Sequence, residues 1–76
     1  MEILLHDETN TKKAIARLER ELDDIWEQGE NGADVIMNLD DQNMWNAVIK
    51  YLDEHKEEFS YQVNEQKAII NVEFVL

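Results

Sequence analysis

Residues 59–76, FSYQVNEQKAIINVEFVL, contain two alternating runs separated by a polar break. Phe59, Tyr61 and Val63 alternate with polar residues; Asn64-Glu65-Gln66-Lys67 interrupts, and Ala68, Ile70, Val72, Phe74 and Leu76 resume the alternation. Side chains two apart share one face of a strand, so the segment predicts a β-hairpin with one core-facing side. A sheet with one apolar face needs a cover, and the preceding residues must provide it.

They do so through helical spacing. Ile15, Leu18, Leu22, Ile25 and Trp26 recur three and four apart, predicting a helix from about Ala14 to Gln28 with one buried stripe. The N-cap-rich cluster Asp7-Glu8-Thr9-Asn10-Thr11 precedes it and Gly29 supplies a left-handed stop. Ala33, Val35, Met37 and Leu39 then alternate as a strand. Asp40 or Asp41 caps a second helix, whose stripe of Met44, Trp45, Val48, Leu52, His55 and Phe59 extends to about Glu58. Glu2 to His6 reads as a short first strand. The order β-α-β-α-β-β predicts an α+β fold, a single domain over residues 1–76: a two-layer sandwich with two helices on one face of a four-stranded mixed sheet. Each β-α-β step makes its two strands run parallel if they share the sheet.

Composition narrows the function classes. Eighteen Asp and Glu against seven Lys and Arg leave a formal charge of −11, which repels phosphate backbones and anionic lipid, so neither nucleic acid nor membrane is an expected direct partner. With 43% hydrophobic residues in clear periodicity the chain has material for a core despite that charge. It has no cysteine and no proline, so no disulfide or thiolate cluster can reinforce it. No apolar run is longer than three residues, which argues against a spanning helix or secretory leader and makes a cytoplasmic location the expectation.

Catalytic chemistry has little to draw on. The one serine, Ser60, forms with His55 and Asp53 the residue types of a triad, but a triad is defined by geometry and these are merely neighbours in sequence. His6-Asp7-Glu8 has no second histidine at i+4, and Gly29 and Gly32 flank the acidic Glu30 where a phosphate would have to sit. No enzyme activity, metal or cofactor is expected.

The first helix carries the most informative surface. Glu19, Asp23 and Glu27 form an i, i+4, i+8 row along one flank, with Trp26 between the row and the core stripe. On the other flank Arg17 is placed to pair with Glu21, and Arg20 with Asp24. Carboxylates one turn apart lie about 6 Å from each other and repel by a few tenths of a kcal/mol, so the row is tolerated rather than stabilising. Asp53, Glu54, Glu57 and Glu58 form a second acidic group near the end of the second helix, where the macrodipole opposes them. These residues predict a small, non-enzymatic protein-interaction module. Its basic protein partner would be held by Glu19, Asp23, Trp26 and Glu27, in the manner of a nucleic-acid-mimicking inhibitor. The alternative is an assembly protein that forms a homodimer through the open sheet edge or the uncovered face, where Ile36, Ile69 and Val75 lie.

Overall fold

The computed structural model describes residues 1–76 as β1 (Glu2–Leu4), α1 (Thr11–Glu27), β2 (Gly32–Ile36), α2 (Gln42–Glu54), β3 (Phe59–Asn64) and β4 (Ile69–Phe74). Each helix begins at a side-chain cap. Asn10 Oδ1 accepts the Lys13 amide at 3.1 Å, and Asp41 Oδ1 accepts that of Met44 at 3.1 Å. Such a cap is worth about 1 kcal/mol because it satisfies an amide with no partner inside the helix. Gly29 stops α1 with φ +80°, a conformation costing roughly 1–2 kcal/mol for a residue with a Cβ. Gly32 has a different reason: a Cβ there would run into the Val72 carbonyl oxygen of the neighbouring strand.

The sheet order is β1-β2-β4-β3. β1 and β2 are parallel, and β4 is antiparallel to both β2 and β3. β3 therefore runs in the same direction as β2, as the β-α-β reading requires of strands joined through a helix. The two helices return against those strands and so run parallel to each other. Their C-terminal ends emerge on one side of the molecule, where β2 and β3 begin and β4 ends.

One sheet face contributes Ile3, Ala33, Val35, Phe59, Ile70 and Val72 to the core. Against it α1 places Ala14, Leu18, Leu22 and Ile25, and α2 places Met44, Trp45, Val48 and Leu52. All 17 buried residues are hydrophobic and no buried side-chain polar atom lacks a partner. Each fully buried Leu or Ile contributes roughly 1.5–3 kcal/mol. The α+β two-layer sandwich is thus the architecture adopted.

Element ends depart from the sequence expectations. α2 stops at Glu54 rather than Glu58: the backbone leaves the helix at His55, whose carbonyl accepts the amides of both Glu58 and Phe59. This turn delivers Phe59 to the sheet as the first residue of β3. β1 ends at Leu4 rather than His6. β2 ends at Ile36 rather than Leu39, because the chain turns at Asn38, whose Oδ1 accepts the Asp40 amide at 3.0 Å. β4 ends at Phe74, leaving Leu76 99% exposed. In the hairpin turn Asn64 Oδ1 accepts the Lys67 amide, and Ala68 takes the left-handed φ of 56° that closes the loop.

Candidate functional site: an acidic aromatic cleft

The parallel helices bring the two acidic groups of the sequence together. At their shared C-terminal end lies a cleft of about 310 Å³ lined by Asp23 and Trp26 of α1, Glu57 and Glu58 of the α2–β3 turn, and Phe59, Phe74, Val75 and Leu22. Trp26 is 53% exposed and stands edge-on to Phe74, with ring centroids 5.2 Å apart and planes at 72°. Phe74 in turn meets Phe59 at 5.8 Å, and Phe59 meets Tyr51 at 6.4 Å. The aromatic row thus runs from α1 across both hairpin strands to α2. Edge-to-face pairs of this kind contribute roughly 0.5–1.5 kcal/mol beyond area burial, so Trp26 is held in place while one side stays open.

The electrostatics are one-sided. Neither helix has a basic residue in its last turn. Each helix C-terminus also carries a partial negative charge equivalent to about half an electron. The only salt bridge in the structure joins Arg17 to Glu21 at 3.1 Å on the other flank of α1. The expected Arg20–Asp24 pair does not form; both side chains extend into solvent, where pairing yields little. Lys56, the nearest basic residue in sequence to Glu57 and Glu58, makes no ion pair. The cleft's carboxylates are therefore without internal counter-charge.

Tyr51 registers this field. Its hydroxyl is pushed up from 10.0 to about 12, first by burial and then by the charges of Glu19, Glu58 and Asp23. The folded protein keeps that proton at pH values where the unfolded chain has lost it. The resulting stabilisation is complete below pH 10 and is lost as the pH rises toward 12. Urea unfolding at stepped pH should show the parent's stability falling faster through this window than that of Tyr51→Phe. Equal slopes would mean that neither burial nor the three carboxylates raise the Tyr51 hydroxyl.

The four residues singled out on α1 are not equivalent. Asp23 and Trp26 line the cleft, and Glu19 acts with Asp23 on Tyr51. Glu27, at the last position of α1, is exposed and does neither. Glu57 and Glu58 belong to the cleft but stood outside the α1 row, since only the fold places them opposite Asp23. The triad residue types are not assembled. Asp53 Oδ1 accepts from the Tyr61 hydroxyl at 2.7 Å, His55 Nδ1 donates to the Tyr51 carbonyl at 2.7 Å, and Ser60 follows buried Phe59 and so faces the opposite side of the sheet. Nowhere do three or more His, Asp or Glu side chains gather with the geometry to hold a metal ion. The uncovered sheet face is mostly polar, with Glu2, Asp34, Asn71, Gln62 and Glu73 across it. Leu4, Ile36 and Ile69 form one apolar row through their register partners.

Compared with known protein families, with curated proteins and with solved structures, the chain matches none. No helix is long and apolar enough to cross a membrane.

Proposed function

We propose that this chain is a non-enzymatic interaction module that docks a positively charged protein partner on the acidic aromatic cleft. The observation that carries the reading is the meeting, at an exposed Trp26, of two helix C-termini and of carboxylates from two separate sequence segments with no cation among them. Helix C-termini favour cations, and an exposed tryptophan in a shallow cleft is the side chain that most often anchors a protein interface. A cleft of about 310 Å³ is at the small end for an organic ligand and suits one or two protruding side chains. Arginine answers both features, since its guanidinium pairs with carboxylates and stacks on aromatic rings.

The partner surface is one that otherwise takes a phosphate backbone. The spacing of Glu19 and Asp23, one turn apart and flanked by Glu58, offers such a surface a row of negative charge in place of phosphates. The module acts as a competitor for that surface, a nucleic-acid-mimicking inhibitor.

The test uses the partner recovered from the native host at low salt. Affinity and association rate are measured at two ionic strengths for the parent, for Glu19→Gln/Asp23→Gln/Glu27→Gln, and for Asp23→Asn/Glu57→Gln/Glu58→Gln. Both variants should remain folded, because they relieve like-charge repulsion. Association should slow by about tenfold or more at low salt, with a shallower salt dependence, and the cleft variant should lose more than the row variant. Parent-like affinity and salt slope in both variants would make the acidic surface a solvated face and end this reading.

A further inference from the structure

β3 and β1 are the outer strands of the sheet, and β1 has only three residues. Proteins usually blunt a long free edge with lysine, proline, a charge or a bulge, because its unpaired amides and carbonyls accept another strand. β3 has none of these. Its six residues, Phe-Ser-Tyr-Gln-Val-Asn, include no charged side chain and no proline, in a chain that is 33% charged. Its register with β4 runs unbroken from Phe59–Phe74 to Asn64–Ile69, so no bulge interrupts it.

The free backbone groups follow from ladder parity. The Val75 amide donates to the Glu58 carbonyl at 2.9 Å. In an antiparallel ladder, residues bonded to the partner strand alternate with residues that point away. Glu58, Ser60, Gln62 and Asn64 therefore face β4, and Phe59, Tyr61 and Val63 turn their amides and carbonyls outward. The Phe59 amide is already taken by the His55 carbonyl at 3.0 Å. Apart from the Val63 carbonyl, whose counterpart that amide would be, what remains is symmetric about Tyr61.

That symmetry matches the strand to itself. In a second β3 laid antiparallel with Tyr61 facing Tyr61, each Tyr61 amide meets the other Tyr61 carbonyl and each Val63 amide meets the other Phe59 carbonyl. On the helix side Phe59 then faces Val63 and Tyr61 its own copy, and on the open side Ser60 faces Gln62; these central pairs are uncharged and compatible, and Glu58 meets only the amide side chain of Asn64. Beside the strand is a hollow of about 210 Å³ lined by Leu39, Gln42, Trp45, Ile49, Val63 and Glu65. Leu39 is 58% and Val63 39% exposed there, apolar surface that a second copy would cover. Charge selects the occupant. The strand's own side chains carry no charge, so two copies at −11 each meet there with the least repulsion, the Asp53 carboxylate on each Tyr61 hydroxyl being the nearest negative group.

We infer that two copies of this chain join through β3 about a two-fold axis at Tyr61, forming one continuous eight-stranded sheet. This is independent of the acidic cleft and has the opposite response to salt. Screening weakens capture of a basic partner but relieves repulsion between copies, so self-association strengthens as ionic strength rises.

Sedimentation equilibrium of the full chain at about 0.01 M and about 1 M ionic strength tests the inference. The expected result is a monomer–dimer equilibrium, at least about tenfold tighter at the higher salt, with Tyr61 and Val63 amides that exchange more slowly as protein concentration rises. Val63→Pro removes an outward amide at an edge position that tolerates proline, and Val63→Lys blunts the edge without touching the backbone. Either variant should raise the dimer dissociation constant at least about tenfold with unchanged circular dichroism. A chain that stays monomeric at millimolar concentration and high salt would overturn the inference. So would a dimer that survives Val63→Lys with fast-exchanging Tyr61 and Val63 amides, a result that would move the contact to the Leu4–Ile36–Ile69 row.

Discussion

Trp45→Ala is expected to cost about 3–5 kcal/mol of folding free energy. Trp45 is 6% exposed, packed in the core, and its indole N–H donates to the Asn38 carbonyl at 2.8 Å. The bond matters for the fold's course as well as its core, because Asn38 is where the chain leaves β2 and turns toward α2. A domain of 76 residues has roughly 4–11 kcal/mol in total, at about 0.05–0.15 kcal/mol per residue. The variant should therefore melt roughly 12–40 °C below the parent or be unfolded at room temperature. Trp45→Phe keeps most of the buried ring and loses the hydrogen bond, and should fall by only about 1–2 kcal/mol. Calorimetry on the three proteins separates the terms. A loss under about 2 kcal/mol for the alanine variant would show that the core does not close around this ring.

Trp26→Ala should do the reverse. Trp26 touches the fold mainly through the edge of Phe74, so its removal should cost only about 0.5–1.5 kcal/mol of stability. Its effect on partner affinity should be far greater, about 2–4 kcal/mol or roughly 30- to 1000-fold, as for aromatic anchors at the centre of an interface. Titration calorimetry with the recovered partner, together with a melting curve of the variant alone, tests both halves. Affinity within about threefold of the parent would remove Trp26 from the interface. A collapse of the melting transition would show it to be a core residue.

The two tryptophans also show how far the sequence could be read. Both fall close to an apolar helical stripe, yet only Trp45 is buried. The α1 stripe was legible because Ala14, Leu18, Leu22 and Ile25 keep helical spacing with caps at both ends. α2 was harder to end. Tyr51, Leu52, His55 and Phe59 continue at three and four, and the intervening Glu and Lys are good helix formers; only the pull of Phe59 into the sheet core breaks the helix at His55. β2 reads three residues too long at its end for a similar reason, since a loop that turns at Asn38 still alternates as far as Leu39. The cleft was half legible. Asp23 and Trp26 stand out on their helix, but Glu57 and Glu58 join them only because β1, β2 and β3 share a direction and carry both helices back in parallel. Strand direction of that kind is a property of the assembled sheet and leaves no local mark on the residues.

The contrast between one enclosed indole and one open indole has an optical consequence. Trp45, only 6% exposed, should emit at shorter wavelength and shift to the red when the core comes apart. Trp26, 53% exposed at the mouth of the cleft, should emit from a wet environment and shift to the blue when anything dries that mouth. Intrinsic fluorescence thus carries two separable signals, one for unfolding and one for occupancy, and replacing either tryptophan with phenylalanine isolates the other. The protein carries its own label-free reporter for candidate binders.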